Sequence, residues 1–309
     1  MSKFSIILPV YNEEELIQNT YTRLKTVMES IKGDYELIFI NDGSTDNSSE
    51  VVKQICKNDS HVKLLDFSRN FGHQVAISAG IDHAEGDAAV ILDADLQDPP
   101  EVIPHMIKKW EEGYEVIYGK RIKREGETAF KKVTAHIYYR LLKYITNFNI
   151  PVDSGDFRLI DKKVYGVIKS FHEKSRYIRG LISWIGFKQT YVEYVRGERT
   201  AGVSKFPLKK MLKFAIDGIT SFSIRPLRLA MYLGFANSGL AFLYIFYALY
   251  QRFFNSRTVI GWTSLIAANA FFNGIILIIL GIMGEYVGRI YEETKNRPLY
   301  ILKDKVGIK

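Results

Sequence analysis

Residues 229–250 and 258–284 contain no Asp, Glu, Lys or Arg. A helix needs about 20 apolar residues to cross a hydrocarbon core, so each stretch is long enough to do so. The pair predicts two transmembrane helices. The intervening QRFFNSR segment (251–257) has room only for a tight turn, which makes an antiparallel hairpin with both flanks on one side. Lys209, Lys210, Lys213, Arg225, Arg228, Arg289, Lys295, Arg297 and Lys303 lie in those flanks, against Arg252 and Arg257 in the turn. The positive-inside bias therefore puts both flanks in the cytoplasm. The expectation is a multi-pass protein of the cytoplasmic membrane whose N-terminal part faces the cytoplasm.

That N-terminal part carries a different signal. Between residues 4 and 119, short β-rich runs alternate with amphipathic stretches, the pattern of an α/β domain whose mostly parallel sheet is covered by helices on both faces. Strands are predicted at 4–10, 35–41, 62–66, 88–93 and 115–119, and helices near 13–30, 45–58, 72–83 and 100–112. Asn12, Ser44 and Asp98 are placed as N-caps. The run FSIILPV (4–10) is too short for a signal-peptide core and contains Pro9, so it reads as a buried strand. Residues 120–132 turn basic, and 130–148 has the spacing of an amphipathic helix. The expected organisation is a cytoplasmic unit over 1–205, a juxtamembrane amphipathic segment over 206–228, the hairpin over 229–284 and a cytoplasmic tail over 285–309.

A formal charge of +8 suits an anionic partner, and beside a membrane hairpin an anionic lipid surface or a phosphorylated substrate fits better than nucleic acid. The single Cys56 excludes an internal disulfide and points to a reducing compartment. The six histidines show no HExxH spacing and no GxxxxGK[ST] loop occurs, so neither a zinc hydrolase nor a P-loop ATPase is indicated.

Three motifs fall at predicted strand ends, where open α/β sheets bind ligands. PVYNEE (9–14) places Pro9 and Tyr11 where they can frame a base, or it is a plain strand-to-helix turn. NDGSTD (41–46) offers Asp42 as an acceptor for a nucleobase or ribose, or forms an ordinary Asx-Gly turn. DADLQD (93–98) sets two carboxylates beside a carboxamide. In an extended segment Asp93, Asp95 and Gln97 point to one side, as a hard divalent cation with substrate phosphates requires; otherwise they form a solvated acidic turn.

In order and spacing these motifs resemble the family 2 glycosyltransferases of the GT-A fold, and more narrowly the bactoprenol glucosyltransferase and dolichyl-phosphate mannose synthase branch. Supporting residues are SRNFGH (68–73), DADLQDPP (93–100), YGKR (118–121), DSGDFRL (153–159) and RxAGVSKF (199–206). The likeness extends over nearly the whole chain, with Val203 departing from the Glu expected in that last segment.

The resemblance implies that Pro9, Tyr11, Asn12, Glu13, Asp42, Asp93 and Ala94 hold the nucleotide. Asp95 and Gln97 would bind Mg²⁺ or Mn²⁺, with Asp93, Asp95 and Asp156 catalytic. On chemical grounds Arg121, Arg124, Lys131, Lys132, Arg199, Ser204 and Lys205 are candidates to meet the acceptor phosphate or the donor diphosphate, or any single lysine among them belongs to an anionic-lipid patch. The implied reaction is inverting transfer of one hexose, from UDP-glucose or UDP-N-acetylglucosamine, to polyprenyl (undecaprenyl) phosphate. A homotetramer and a downstream flippase are implied as well. The QxxRW signature of processive synthases is absent. The alternatives are a GDP-mannose-dependent mannose synthase and a non-catalytic membrane scaffold. Because a phosphate monoester is largely dianionic at neutral pH, it needs little help from a base, which suits Asp156 to orienting or balancing charge.

Overall fold

The computed structural model describes residues 2–122, 154–174, 176–195, 224–254 and 261–308. The chain forms two compact units: 1–218 together with 297–309, and 219–296.

The first unit is built on β1 (Lys3–Val10), an almost wholly apolar strand that is buried from Phe4 onward. Burial on both faces is what a central parallel strand requires. β1 pairs in parallel with β2 (Asp34–Asn41) on one side and β4 (Ala88–Ile91) on the other, and β2 pairs in parallel with β3 (Val62–Phe67). Phe4, Ile6 and Leu8 join the core that contains Ile17 and Leu24 of α1 (Glu14–Glu29), Val52 and Ile55 of α2 (Ser48–Asn58), and Met106 and Ile107 of α4 (Ile103–Glu111). On the alternate positions, Ile7 and Ile40 approach Gly80 of α3 (His73–His83). The sheet is therefore covered on both faces.

Beyond β5 (Val116–Arg121) come β6 (Ser154–Asp161), α5 (Lys162–Lys169), α6 (Ile178–Ile185) and β7 (Gln189–Tyr194). β6 inserts antiparallel between β4 and β5, and β7 pairs in parallel with β5. β8 (Leu302–Val306) closes the far edge antiparallel to β3, giving the order β7-β5-β6-β4-β1-β2-β3-β8. The five predicted strands are all present. β6, β7 and β8 were not foreseen; the last lies in what reads from sequence as a tail.

Two local expectations are corrected. The N-caps are Glu13, Asn47 and Pro99, none capping through its side chain, in place of Asn12, Ser44 and Asp98. Those three side chains instead staple loops together. Asn12 Oδ1 accepts from Thr45 N at 2.8 Å, Ser44 Oγ accepts from Asn12 N at 2.9 Å, and Asp98 accepts from Tyr194. Nor is the acidic segment extended. β4 ends at Ile91, Asp95 Oδ1 accepts from Gln97 N at 3.1 Å, and Leu96 adopts φ +57°, so the chain turns where a strand would have continued. Alternation along a strand therefore does not align Asp93, Asp95 and Gln97.

The second unit contains α7 (Arg225–Phe254) and α8 (Trp262–Thr294). Residues 225–251 and 271–294 are long and apolar enough to cross a membrane, and only 6% and 0% of their most apolar windows are buried within the protein. Apolar surface left this open is unlike that of a soluble core helix. The basic stretch 123–132, the helix expected over 130–148, most of the juxtamembrane segment and residues 255–257 of the hairpin turn lie outside the described residues.

Gly80 tests the sheet-helix packing. A Cβ there would sit 2.3 Å from Ile7 Cγ2 and 3.0 Å from Ile40 Cδ1, both core side chains with little room to yield. Although Ala is the better helix former by about 1 kcal/mol, overpacking costs about 1–3 kcal/mol. Gly80→Ala is expected to lower stability by up to about 2 kcal/mol in denaturant unfolding of the solubilised protein.

Candidate active site

The parallel strands β1, β2, β3 and β4 deliver their following loops to one end of the sheet. Because β6 runs antiparallel to β4, its beginning lies at that same end. The β4–β6 register pairs Ile91 with Arg158, and continued two residues further it sets Asp93 across from Asp156. Sheet topology thus brings together two carboxylates far apart in sequence.

Both carboxylates lean on one imidazole. His73 Nε2 stands 3.4 Å from Asp93 Oδ1 and 3.3 Å from Asp156 Oδ2. Arg179 of α6 grips Asp156 through Nε at 2.6 Å and an NH2 contact at 2.9 Å. Gln74 Nε2 donates to Asp156 Oδ2 at 3.4 Å, while its Oε1 accepts from Ile178 N at 3.1 Å and so ties α3 to the start of α6. Burial disfavours the charge on Asp156, but Arg179 and His73 outweigh it and hold the carboxyl well below the usual range. Burial likewise opposes charge on His73, yet Asp93 and Asp156 raise it to about 9. Asp93 is pushed up to about 6 by burial, with His73 opposing. Asp93 Oδ1 is itself buried, and among the described residues no donor hydrogen-bonds to it. The site is an ionised cluster in which Asp93 Oδ1 faces His73 at 3.4 Å without a hydrogen bond.

Asp42, at the end of β2, is almost fully buried. Its Oδ1 accepts from Phe71 N at 2.7 Å, Gly72 N meets both oxygens at 3.2 and 3.0 Å, and Asn70 Nδ2 reaches Oδ2 at 3.0 Å. Asp42 therefore organises the 68–72 loop. Gly43 permits this, since at φ +64° a Cβ would lie 2.3 Å from the Arg69 backbone. Tyr11 is 39% exposed, and the Glu13 backbone N–H donates to Ser48 Oγ at 3.1 Å. Pro9 and Ala94 are inside the fold, and Thr20 Oγ1 donates to the Ala94 carbonyl at 2.9 Å.

Arg121 is mostly buried against Asp98 at 3.3 Å, and its Nε donates to Tyr194 OH at 3.1 Å. Gln97 is buried beside it in the turn. Arg124, Lys131, Lys132, Arg199, Ser204 and Lys205 lie outside the described residues. Sequence reasoning missed His73, Gln74 and Arg179. His73 closes the SRNFGH segment and was visible there, whereas nothing local marks Arg179.

Residues 5–168 match glycosyl transferase family 2, and residues 225–290 match the GtrB C-terminal hairpin. The chain belongs to glycosyltransferase family 2. An uncharacterized glycosyltransferase, YkcC, of Bacillus subtilis (strain 168) is 58% identical over 306 residues, covering 99% of this chain and 95% of the relative. The SfII prophage-derived bactoprenol glucosyl transferase of Shigella flexneri is 42% identical over 301 residues, covering 97% of each. Mannosyl-3-phosphoglycerate synthase from Rubrobacter xylanophilus shares the fold at a TM-score of 0.50 and 15% identity, with 74% of each chain covered. This family 2 glycosyltransferase thus has the GT-A fold with two C-terminal apolar helices.

Its charge cluster predicts a pH effect. The folded value of His73 lies above its unfolded value of about 6.5, so the stabilisation it brings is complete below about pH 6.5 and is lost as pH rises through about 9. Unfolding measured against pH should show wild type exceeding His73→Gln in stability at pH 6, with the difference shrinking by pH 10. A constant difference would contradict the ion cluster.

Proposed function

We propose that the enzyme transfers one hexose from a UDP-sugar to the phosphate of a polyprenyl phosphate, with inversion, at the cytoplasmic membrane face. The observation that carries this reading is the meeting of Asp93, Asp156 and His73 at the strand ends that also bear the 9–14 and 41–46 motifs. Relatives named bactoprenol glucosyl transferase, aligned over 97% of the chain, support the acceptor, as does the hairpin.

In this reading the base lies against Tyr11, with buried Pro9 fixing the strand end behind it, within a pocket whose wall is the loop folded around Asp42. One oxygen of the lipid phosphate forms a bond to the anomeric carbon. The bond from that carbon to the donor diphosphate breaks, and its electron pair leaves with UDP. No proton need move, because the attacking phosphate is already largely dianionic. Asp156, held ionised by Arg179 and His73, acts as a positioning group: a carboxylate so strongly paired is a poor base. Asp93 lies closest to the donor sugar.

The residues present fit a divalent cation, Mg²⁺ or Mn²⁺. Among the described residues Asp93 Oδ1 carries no hydrogen bond, although His73 Nε2 stands 3.4 Å away, and Asp95 and Gln97 add hard oxygen donors. Among the described residues no three His, Cys, Asp or Glu side chains gather into a metal cage, so the diphosphate would complete the coordination. Such a cation, once bound, neutralises charge developing on the leaving diphosphate. Arg121, Arg124, Lys131, Arg199, Ser204 and Lys205 are proposed to receive the acceptor phosphate, Arg through paired hydrogen bonds. A homotetramer and a flippase for the lipid product belong to the same proposal.

Asp95→Ala is expected to fold normally yet lose about 100-fold or more of transfer, and chelation should abolish UDP binding to wild type. Both are read with purified enzyme, by label recovered in extracted lipid and by calorimetry. Unchanged turnover would remove the cation from the reaction. In a donor panel, transfer from GDP-mannose but not from UDP-glucose or UDP-N-acetylglucosamine would overturn the UDP assignment.

A further inference from the structure

After α8 ends at Thr294 the chain returns to the first unit, and β8 pairs with β3 from Leu64↔Val306 to Phe67↔Leu302. The pairing does not stop with the strand. Ser68 N donates to Ile301 O at 3.0 Å, so the tail also holds the first residue of the 68–72 loop. Tyr300 stacks on buried Phe67 with ring centroids 5.2 Å apart and planes 16° apart, and Phe67 meets Phe71 edge-on at 5.6 Å. Phe71 is the residue whose N–H makes the 2.7 Å hydrogen bond to Asp42. At its other end, Tyr300 OH donates to Asp82 Oδ2 at 3.3 Å, near the end of the helix that begins with His73. Lys53 of α2 pins the tail strand from below through Asp304 at 3.2 Å.

We infer that the C-terminal segment of Tyr300 and β8 is a positioning element of the nucleotide pocket, acting through the stack of Tyr300 on Phe67 and the edge contact of Phe67 with Phe71. This rests on the reading that the loop around Asp42 forms that pocket. A strand that merely covered the sheet edge would protect β3 from wrong pairing and affect stability alone. Here the ring row leads out of the sheet to the backbone amides that fill the Asp42 carboxylate. Remove the Tyr300 ring, and Phe67 loses the stacked partner that backs its edge contact with Phe71, leaving Phe71 to Phe67 and to Arg69, which lies 4.1 Å from its ring centroid; the loop amides then open more often, and each opening removes the pocket wall. Chemistry at the anomeric carbon, governed by the Asp93 and Asp156 cluster, is untouched once donor is bound.

The test uses full-length enzyme in detergent and three variants. Tyr300→Ala should raise hydrogen exchange at Phe71 and Gly72, weaken UDP binding and raise donor KM by about 3–10-fold, the range of one aromatic contact, with kcat within about twofold of wild type. Tyr300→Phe keeps the ring and should match wild type in all of these. Asp42→Asn should loosen the same amides and lose UDP binding. Unchanged exchange in a folded Tyr300→Ala protein would overturn the inference, as would a fall in kcat with UDP affinity intact. If both variants loosen the loop but neither alters UDP binding, the nucleotide-pocket reading fails instead, and the binding half of the inference falls with it.

Discussion

The site depends on the electrostatic cost of setting two carboxylates, one after β4 and one near the start of β6, at the same end of the sheet. Asp93 follows a run of buried residues, and Asp156 is almost wholly covered at the start of its own strand. Two such groups facing one another across an antiparallel pair would repel strongly in a medium that screens poorly. The fold answers with His73 between them and Arg179 behind Asp156. This arrangement fixes where α3 must begin and where α6 must pass, and it leaves one carboxylate oxygen short of a partner.

The same economy recurs at Asp42. Its four close hydrogen-bond contacts come from a loop of three residues, so the acid expected to meet the nucleotide directly first builds the wall beside it. A nucleotide would meet Asp42 directly only by exchanging one of these contacts. The tail strand that pairs with β3 belongs to the same compact unit as this loop, although it follows the C-terminal apolar hairpin in sequence.

Much of the fold was legible because period and hydrophobicity suffice for central elements. Parallel strands buried on both faces read as unbroken apolar runs, and five were located to within two or three residues. Edge and antiparallel strands were not. Within β7, TYVEY alternates with exposed polar positions and has little apolar excess, and β8 (LKDKV) is stabilised by a partner distant in sequence. The acids at 93–98 were found, but alternation along a strand was the wrong geometry because Asp95 turns the chain back on Gln97. Asn12, Ser44 and Asp98 have the side chains of caps and serve as staples, a choice decided by which loops the sheet brings near. Arg179 was invisible since only tertiary packing gives it a carboxylate.

The proposed reaction has an anionic nucleophile displacing an anionic leaving group without proton transfer. Its most direct test is the covalent structure of the lipid product made from UDP-hexose and polyprenyl phosphate, read by mass spectrometry and by the anomeric coupling in NMR. The account predicts a polyprenyl monophosphate ester of one hexose with inverted anomeric configuration. A diphosphate-linked sugar, or a retained anomer, would contradict direct attack by the lipid phosphate.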